Sequence, residues 1–124
     1  MFRYLLLAFL SAAILPASAL AEAGDRDGDQ RFSSGALSAQ LSGTSLIFFD
    51  GSVASYASDG AYRYVYEAGG PVFAGSWSTD DQSRVCVVFD NGFDRCDRIV
   101  EANARLVLIT DEGLRFPVRD VSAD

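Results

Sequence analysis

Turn dipeptides punctuate this chain from Thr44 on at nearly even steps: Asp50-Gly51, Asp59-Gly60, Gly69-Gly70, Asp80-Asp81, Asn91-Gly92 and Glu112-Gly113. The steps are close to ten residues, with one doubled gap around Glu101-Ala102-Asn103. Between them lie short runs rich in Tyr, Phe, Val and Ile. Short apolar runs bounded by Gly, Asp and Asn read as strands joined by hairpins. The spacing predicts eight strands, over 44–49, 52–57, 61–67, 71–78, 84–89, 93–100, 105–110 and 114–120. No residue pattern recurs within the steps, so the chain is not a solenoid.

Alternation gives these strands a core-facing side. Tyr62, Tyr64 and Tyr66 share one face, with Arg63 and Glu67 on the other. Leu114, Phe116 and Val118 face away from Arg115 and Arg119, and Phe73, Gly75 and Trp77 form a third apolar row. Eight short antiparallel strands linked by hairpins hide their edges by closing into an up-and-down barrel or a strongly curled sheet. Ahead of them, Ser33 or Ser34 can cap a short helix through Leu37 to Leu41, with Gly43 ending it.

The chain opens MFRYLLLAFLSAAILPASALA. Arg3, the apolar run Tyr4 to Leu15, the breaker Pro16 and the small residues Ala19-Leu20-Ala21 form a signal-peptide pattern, with cleavage expected after Ala21. The apolar run is short of the ~20 residues that a membrane span needs. No cysteine follows the site, which argues against a lipid anchor. The expected organisation is a signal peptide over 1–21, a flexible acidic tail over 22–33 and a single β-barrel domain over 34–124. Export places that domain in the periplasm or outside the cell, with no stable membrane anchor after cleavage.

Without Arg3 the remaining chain carries nine arginines against 17 acidic residues, a net charge of −8, and it has no Lys and no His. An acidic surface without a basic stripe argues against nucleic acid and anionic membranes as partners. No His means no Ser-His-Asp or Cys-His machinery and no imidazole metal ligand. No Lys means no Schiff base and no Walker lysine. Asp25-Arg26-Asp27-Gly28-Asp29 looks like the start of a calcium loop, but Gln30 and Ala36 stand where its sixth and twelfth positions need Gly and an acid. Asp80-Asp81 and Asp111-Glu112 are adjacent acids of ordinary turns rather than a pair flanking a cleft. The expectation is a protein that is not an enzyme, holds no metal and needs no cofactor.

Cys86 and Cys96 are the chain's two cysteines, and nine residues separate them. That is no C-x-x-C redox pair, and two thiolates alone are a poor zinc site. In an exported chain they read as a disulfide. Facing residues of an antiparallel hairpin have a constant index sum. A two-residue Asn91-Gly92 loop pairs Cys86 with Asp97; a three-residue Asp90-Asn91-Gly92 loop pairs Cys86 with Cys96 and Phe89 with Phe93. The latter is a type I turn with a G1 bulge, which wants Gly in the left-handed position where Gly92 stands. Counting outward, Cys86 and Cys96 fall on a non-hydrogen-bonded site, where Cα atoms sit ~4.5 Å apart.

Two features are open to a binding role. Tyr62, Tyr64, Tyr66, Phe73 and Trp77 are either a filled core or the wall of an aromatic cavity with hydroxyl anchors. On strand 93–100, Arg95 and Asp97 share the face of Val85, Val87 and Phe89, while Asp94, Cys96 and Arg98 share the other. Both faces are partly polar. The charges are either solvated at an edge or mouth, or Arg95 and Asp97 pair inside the mouth and contact a polar ligand.

The segment DGAYRYVYEAGGPVFAGSWSTDDQSRVCVVFDNGFDRC resembles a group of small exported bacterial domains of unknown function. The shared pattern is a leader, a short helix, a DG turn before an aromatic strand (Asp59-Gly60), G-x-W (Gly75 to Trp77), C-x-x-F (Cys86 to Phe89), Gly92 and a second Cys (Cys96). It covers roughly residues 34–100. The resemblance implies a lipocalin-like barrel in the periplasm and supplies no activity. Lipocalins carry G-x-W on the first strand, whereas here it falls on the fourth, so ligand transport does not follow from the motif. Gly60-Ala61-x-x-Tyr64 only faintly resembles the inhibitory loop of periplasmic lysozyme inhibitors. The expected function is non-enzymatic binding of a small amphipathic or lipid-like ligand in the barrel. The alternative is an envelope module that binds a basic protein through its acidic loops, and a hydrolase using carboxylates has the least support.

Overall fold

The computed structural model describes residues 22–123, so the leader expected over 1–21 lies outside the described residues. The elements are β1 (Gln30–Arg31), α1 (Ser34–Leu41), β2 (Thr44–Phe48), β3 (Val53–Tyr56), β4 (Ala61–Val65), β5 (Phe73–Thr79), β6 (Arg84–Phe89), β7 (Asp94–Ala102), β8 (Arg105–Ile109) and β9 (Arg115–Ala123). From β2 onward each strand pairs antiparallel with the next, and β9 returns to pair with β2 from Thr44↔Ala123 to Phe48↔Val118. The sheet is therefore a closed eight-strand up-and-down barrel rather than an open curl. β1 is a ninth strand that continues along β7 where β6 stops, pairing Arg31 with Val100.

One turn design closes four of the seven hairpins. In the turns at 48–52, 57–61, 89–93 and 110–114, the first residue's carbonyl accepts the glycine N–H and its N–H donates to the residue after the glycine. The glycines, at 51, 60, 92 and 113, have φ between 86° and 93°, the left-handed region that L side chains avoid. Asp50, Asp59 and Asn91 each accept from the backbone N–H two residues on, at 2.9 Å. That is why Asp-Gly and Asn-Gly recur in the sequence. At 110–114 the residue before glycine is Glu112, and Thr110 Oγ1 accepts from Leu114 N instead, at 3.1 Å. The doubled gap hides a tight turn at Asn103-Ala104, both with positive φ.

The cysteine hairpin has the register required by the three-residue turn. Cys86 faces Cys96, Phe89 N donates to Phe93 O at 2.7 Å, and the disulfide spans Cα atoms 4.0 Å apart. Cys86 also faces Ser78 on β5, on the outward side of the strand whose Val85 and Val87 point into the core.

The helix plugs one end of the barrel. Ser33 caps it by accepting from Ala36 N at 3.2 Å, and Gly43 leaves it with φ of 72°. Leu37 and Leu41 are completely buried, in one core with Leu46, Tyr56, Val85, Ile99 and Val118. Polar bonds tie the helix start to the turn after β5: Ser34 Oγ lies 2.8 Å from Thr79 Oγ1, Ser34 N donates to Asp81, and Phe32 N donates to Ser83.

Residues 22–33 are not the free tail expected from their composition. They lie on the outer wall of the barrel, over a second apolar cluster of Val100, Val107 and Ile109. Glu22 and Asp25 pair with Arg98 at 2.6 and 2.7 Å, and Asp29 pairs with Arg115 through two bonds of 2.7 and 2.9 Å. Gly24 sits so close to the β8–β9 turn that a Cβ there would stand 2.6 Å from Gly113 O. The cause is β8. Leu106 and Leu108 face inward while Val107 and Ile109 face outward, so the strand is apolar on both sides and its outer side needs a cover.

Candidate functional site

In an up-and-down barrel every second hairpin emerges at the same end. The turns after β3, β5 and β7 flank the helical plug. Those after β2, β4, β6 and β8 ring the opposite end, which no element closes among the described residues. There the interior opens as a cup of about 1030 Å³.

An aromatic series runs from the plugged end to the lip. Trp77 and Tyr56 meet edge to face at 5.5 Å, Tyr56 and Tyr62 lie 5.4 Å apart, and Tyr62 meets Phe89 at 5.8 Å. Trp77 donates its indole N–H to Ala57 O at 2.9 Å. It belongs to the filled half of the barrel and does not line the cup. Tyr62, Tyr64, Tyr66 and Phe73 do line it. Exposure rises along the β4 row, from 7% at Tyr62 to 64% at Tyr66, so one alternating face passes from core to solvent. The two readings of the aromatics therefore divide the barrel between them: filled below, walled above.

Arg95 and Asp97 come together on the inner face of β7, within the cup. Arg95 Nε and Nη2 each donate to Asp97 at 2.7 Å, a two-pronged pair. The Asp97 side chain is 9% exposed and that of Arg95 51%. The pair is thus rooted in the wall, with its guanidinium turned toward the opening. The bonds it donates to Asp97 hold the Arg95 pKa above its usual value, although burial works against them. Burial pushes the Tyr56, Tyr62 and Tyr64 phenols up, so they stay protonated and neutral at physiological pH. The cup can offer ring faces, hydroxyls and one satisfied charge pair.

The lip adds residues to which the sequence had assigned no binding role. Phe48, Ser52, Ala54 and Leu108 line the wall, while Phe93, Leu114 and Phe116 stand at the opening. Among the nine large apolar side chains exposed in the described residues, six line this cup: Tyr66, Val72, Phe73, Phe93, Leu114 and Phe116. Exposed apolar side chains gathered in one place mark a contact surface more often than scattered ones do. Asp50, Asp90, Asp94, Asp111 and Glu112 join them, so the lining holds six carboxylates, Asp97 included, and one guanidinium. Sorting the turns by parity would have found these acids, since Asp50, Asp90, Asp111 and Glu112 all sit on alternate turns. Among the described residues no three metal-ligating side chains converge as a metal site would need.

The class of molecule that emerges is a small disulfide-bonded eight-strand barrel, plugged by a helix at one end and open as an aromatic, acid-lipped cup at the other. Comparisons with family models, with curated proteins and with solved structures each return no match to this chain.

Proposed function

We propose that this protein is an exported, periplasmic or secreted, non-enzymatic domain that takes a small amphipathic ligand into the open end of its barrel. The observation that carries the reading is the cup itself, about 1030 Å³ between Tyr62, Tyr64, Phe89 and Leu108. Ligand sites are concave, mostly apolar and furnished with a few fixed polar groups. The Arg95–Asp97 pair supplies those groups, at a depth where a ligand's polar atom meets them only after its apolar part has entered.

A neutral fluorescent naphthylamine, N-phenyl-1-naphthylamine, tests the reading by titration. It should bind the folded protein, and Leu108→Trp, which fills the wall from one side, should weaken it at least about tenfold while far-UV circular dichroism stays unchanged. Arg95→Ala should weaken ligands whose polar head accepts a hydrogen bond from the guanidinium and leave the naphthylamine nearly unaffected. A protein that takes up no probe, or a folded Leu108→Trp variant that binds as well as the parent, refutes the cup as a site. A second reading, a protein-binding envelope module, draws on the lip, where Phe93 is 74% and Tyr66 64% exposed among carboxylates. Native mass spectrometry of protein purified from its own compartment separates the two, by a carried small molecule or a carried chain.

A further inference from the structure

We infer that the ligand of this cup is an organic cation, an alkylammonium-type amphiphile whose charged head is held at the lip between Tyr64, Tyr66 and Phe73 while its apolar part descends toward Tyr62 and Leu108. The inference rests on the reading of the cup as a ligand site and adds the sign and place of the ligand's charge.

Three observations converge on it. The first is the balance of charge. The lining carries six carboxylates against one guanidinium, and that guanidinium is already matched by Asp97 through two bonds of 2.7 Å. An anionic head, such as a fatty-acid carboxylate, would meet no unspent positive charge and a ring of like charge. The second is what the acids do not do. Asp90, Asp94, Asp111 and Glu112 accept no side-chain hydrogen bond and form no ion pair among the described residues. Asp50 is bound by Ser52 N and Oγ at 2.9 and 2.6 Å, and these bonds hold its carboxyl below the usual range.

The third is ring geometry. Tyr64 and Tyr66 stand at 90° with centroids 4.8 Å apart, and Tyr66 and Phe73 at 84° and 5.7 Å. Successive perpendicular rings form the corner of a cage. Ring faces attract a cation placed over them, and cages of this kind suit ammonium groups that carry apolar substituents. Tyr66 and Phe73 remain 64% and 43% exposed, so a head group can reach them from solution. The aromatic corner lies at the lip, and the one charge pair deeper in the wall is already matched within itself, which orders the ligand head outward and tail inward. At about 1030 Å³ the cup suits a molecule of modest size better than the flat contact that a protein surface needs.

The experiment compares three ten-carbon probes below their micellar concentrations, each displacing the neutral naphthylamine: decyltrimethylammonium, decanol and decanoate. The expected order is cation, neutral, anion, with the cation at least about tenfold tighter than decanoate and weakened by salt. In Asp50→Asn/Asp94→Asn/Glu112→Gln the preference for the cation should collapse toward that for decanol, while decanol itself is unchanged. Tyr66→Leu keeps an apolar side chain at the lip and should weaken the cation alone. Equal or tighter binding of decanoate overturns the charge assignment and leaves the cup standing as a site for other amphiphiles. Failure of every probe, the naphthylamine included, overturns both. Salt-sensitive binding of an octa-arginine peptide without binding of decyltrimethylammonium overturns the assignment in favour of a basic protein partner.

Discussion

The segment laid over the outer wall offers the most direct test of how this barrel is held, through Arg115→Ala. Arg115 makes three bonds to the segment: two to the Asp29 carboxylate, at 2.7 and 2.9 Å, and one to Gly24 O at 2.8 Å. The side chains of Arg115 and Asp29 are 11% and 8% exposed. If the segment stayed in place without Arg115, Asp29 would be a covered carboxylate stripped of its bonded guanidinium, keeping only the Arg26 N–H at 3.0 Å, a loss of up to about 3–5 kcal/mol. The segment has another route, because it can lift off. Asp29 then regains water, and the cost becomes partial exposure of Val107 and Ile109, at about 1.5–3 kcal/mol for a full side chain. The chain takes the cheaper path, and the cover is one strand of chain thick, so we expect a loss of about 2–3 kcal/mol.

Urea denaturation measures that loss, and amide exchange over 22–31 shows whether the segment has lifted. The pH dependence supplies a signature. The hydrogen bonds from Arg115 hold Asp29 below its ordinary value of 3.8, against the opposing effect of burial. A carboxylate depressed in the folded state stabilises it above the unfolded value and loses that contribution as pH falls through the folded one. The gap between parent and Arg115→Ala should therefore be constant from about pH 5 upward and narrow below about pH 4. A loss under about 0.5 kcal/mol with unchanged exchange protection would refute the reasoning and leave the segment held by its apolar contacts alone.

Two further outcomes follow from single contacts. Replacing both cysteines with Ala opens a loop with a sequence separation of 10, which chain entropy values at about 2.7 kcal/mol and about 10–20 °C in Tm; because the bridge lies on the outer face, naphthylamine binding should survive, and its loss would show that the bridge shapes the cup. Gly75→Ala places a Cβ 2.3 Å from Val88 O, which must part β5 from β6; a loss of about 1–3 kcal/mol in chemical denaturation is expected, and an unchanged midpoint would contradict that close approach.

What the sequence made legible was everything governed by local rules. The Asp-Gly and Asn-Gly turns are visible because one left-handed glycine and one side-chain acceptor two residues before the strand suffice to make them. The register at Cys86 and Cys96 follows from counting outward from Gly92. The helix was readable from Ser33, Leu37, Leu41 and Gly43. The tail was misjudged because composition describes residues one at a time. Glu22, Asp25 and Asp29 look solvated until Arg98 and Arg115, more than 70 positions away, are seen on the same outer wall. A local clue was present in the unbroken run Leu106-Val107-Leu108-Ile109, since a strand apolar at successive positions must be covered on both faces. The candidate site was half legible. The tyrosine row and the Arg95–Asp97 face were given by alternation, whereas Phe93, Leu114 and Phe116 at the lip depend on how the barrel closes.

Closure also sorts the acids, and the sorting bears on function. At the plugged end Asp80 accepts from Gln82 N, Arg84 N and Arg84 Nε, and Asp81 accepts from Ser34 N. Burial works against the Asp80 anion, but these bonds outweigh it and hold the carboxyl below the usual range. Those acids build the turn and tie down the helix. At the open end Asp90, Asp111 and Glu112 stand on turns and Asp94 at the start of β7, and their carboxylates accept no hydrogen bond among the described residues, so the fold does not use those side chains. Nor do they sit over a buried cation whose charge they offset, since Asp97 already answers Arg95. Uncommitted carboxylates around a mouth repel one another and slightly disfavour the compact state. They sit beside the largest gathering of exposed aromatic and aliphatic side chains on the described surface, a second feature that folding alone does not require. Two unfavourable features at one place, one of charge and one of apolar exposure, are relieved together by a ligand that is cationic at one end and apolar at the other.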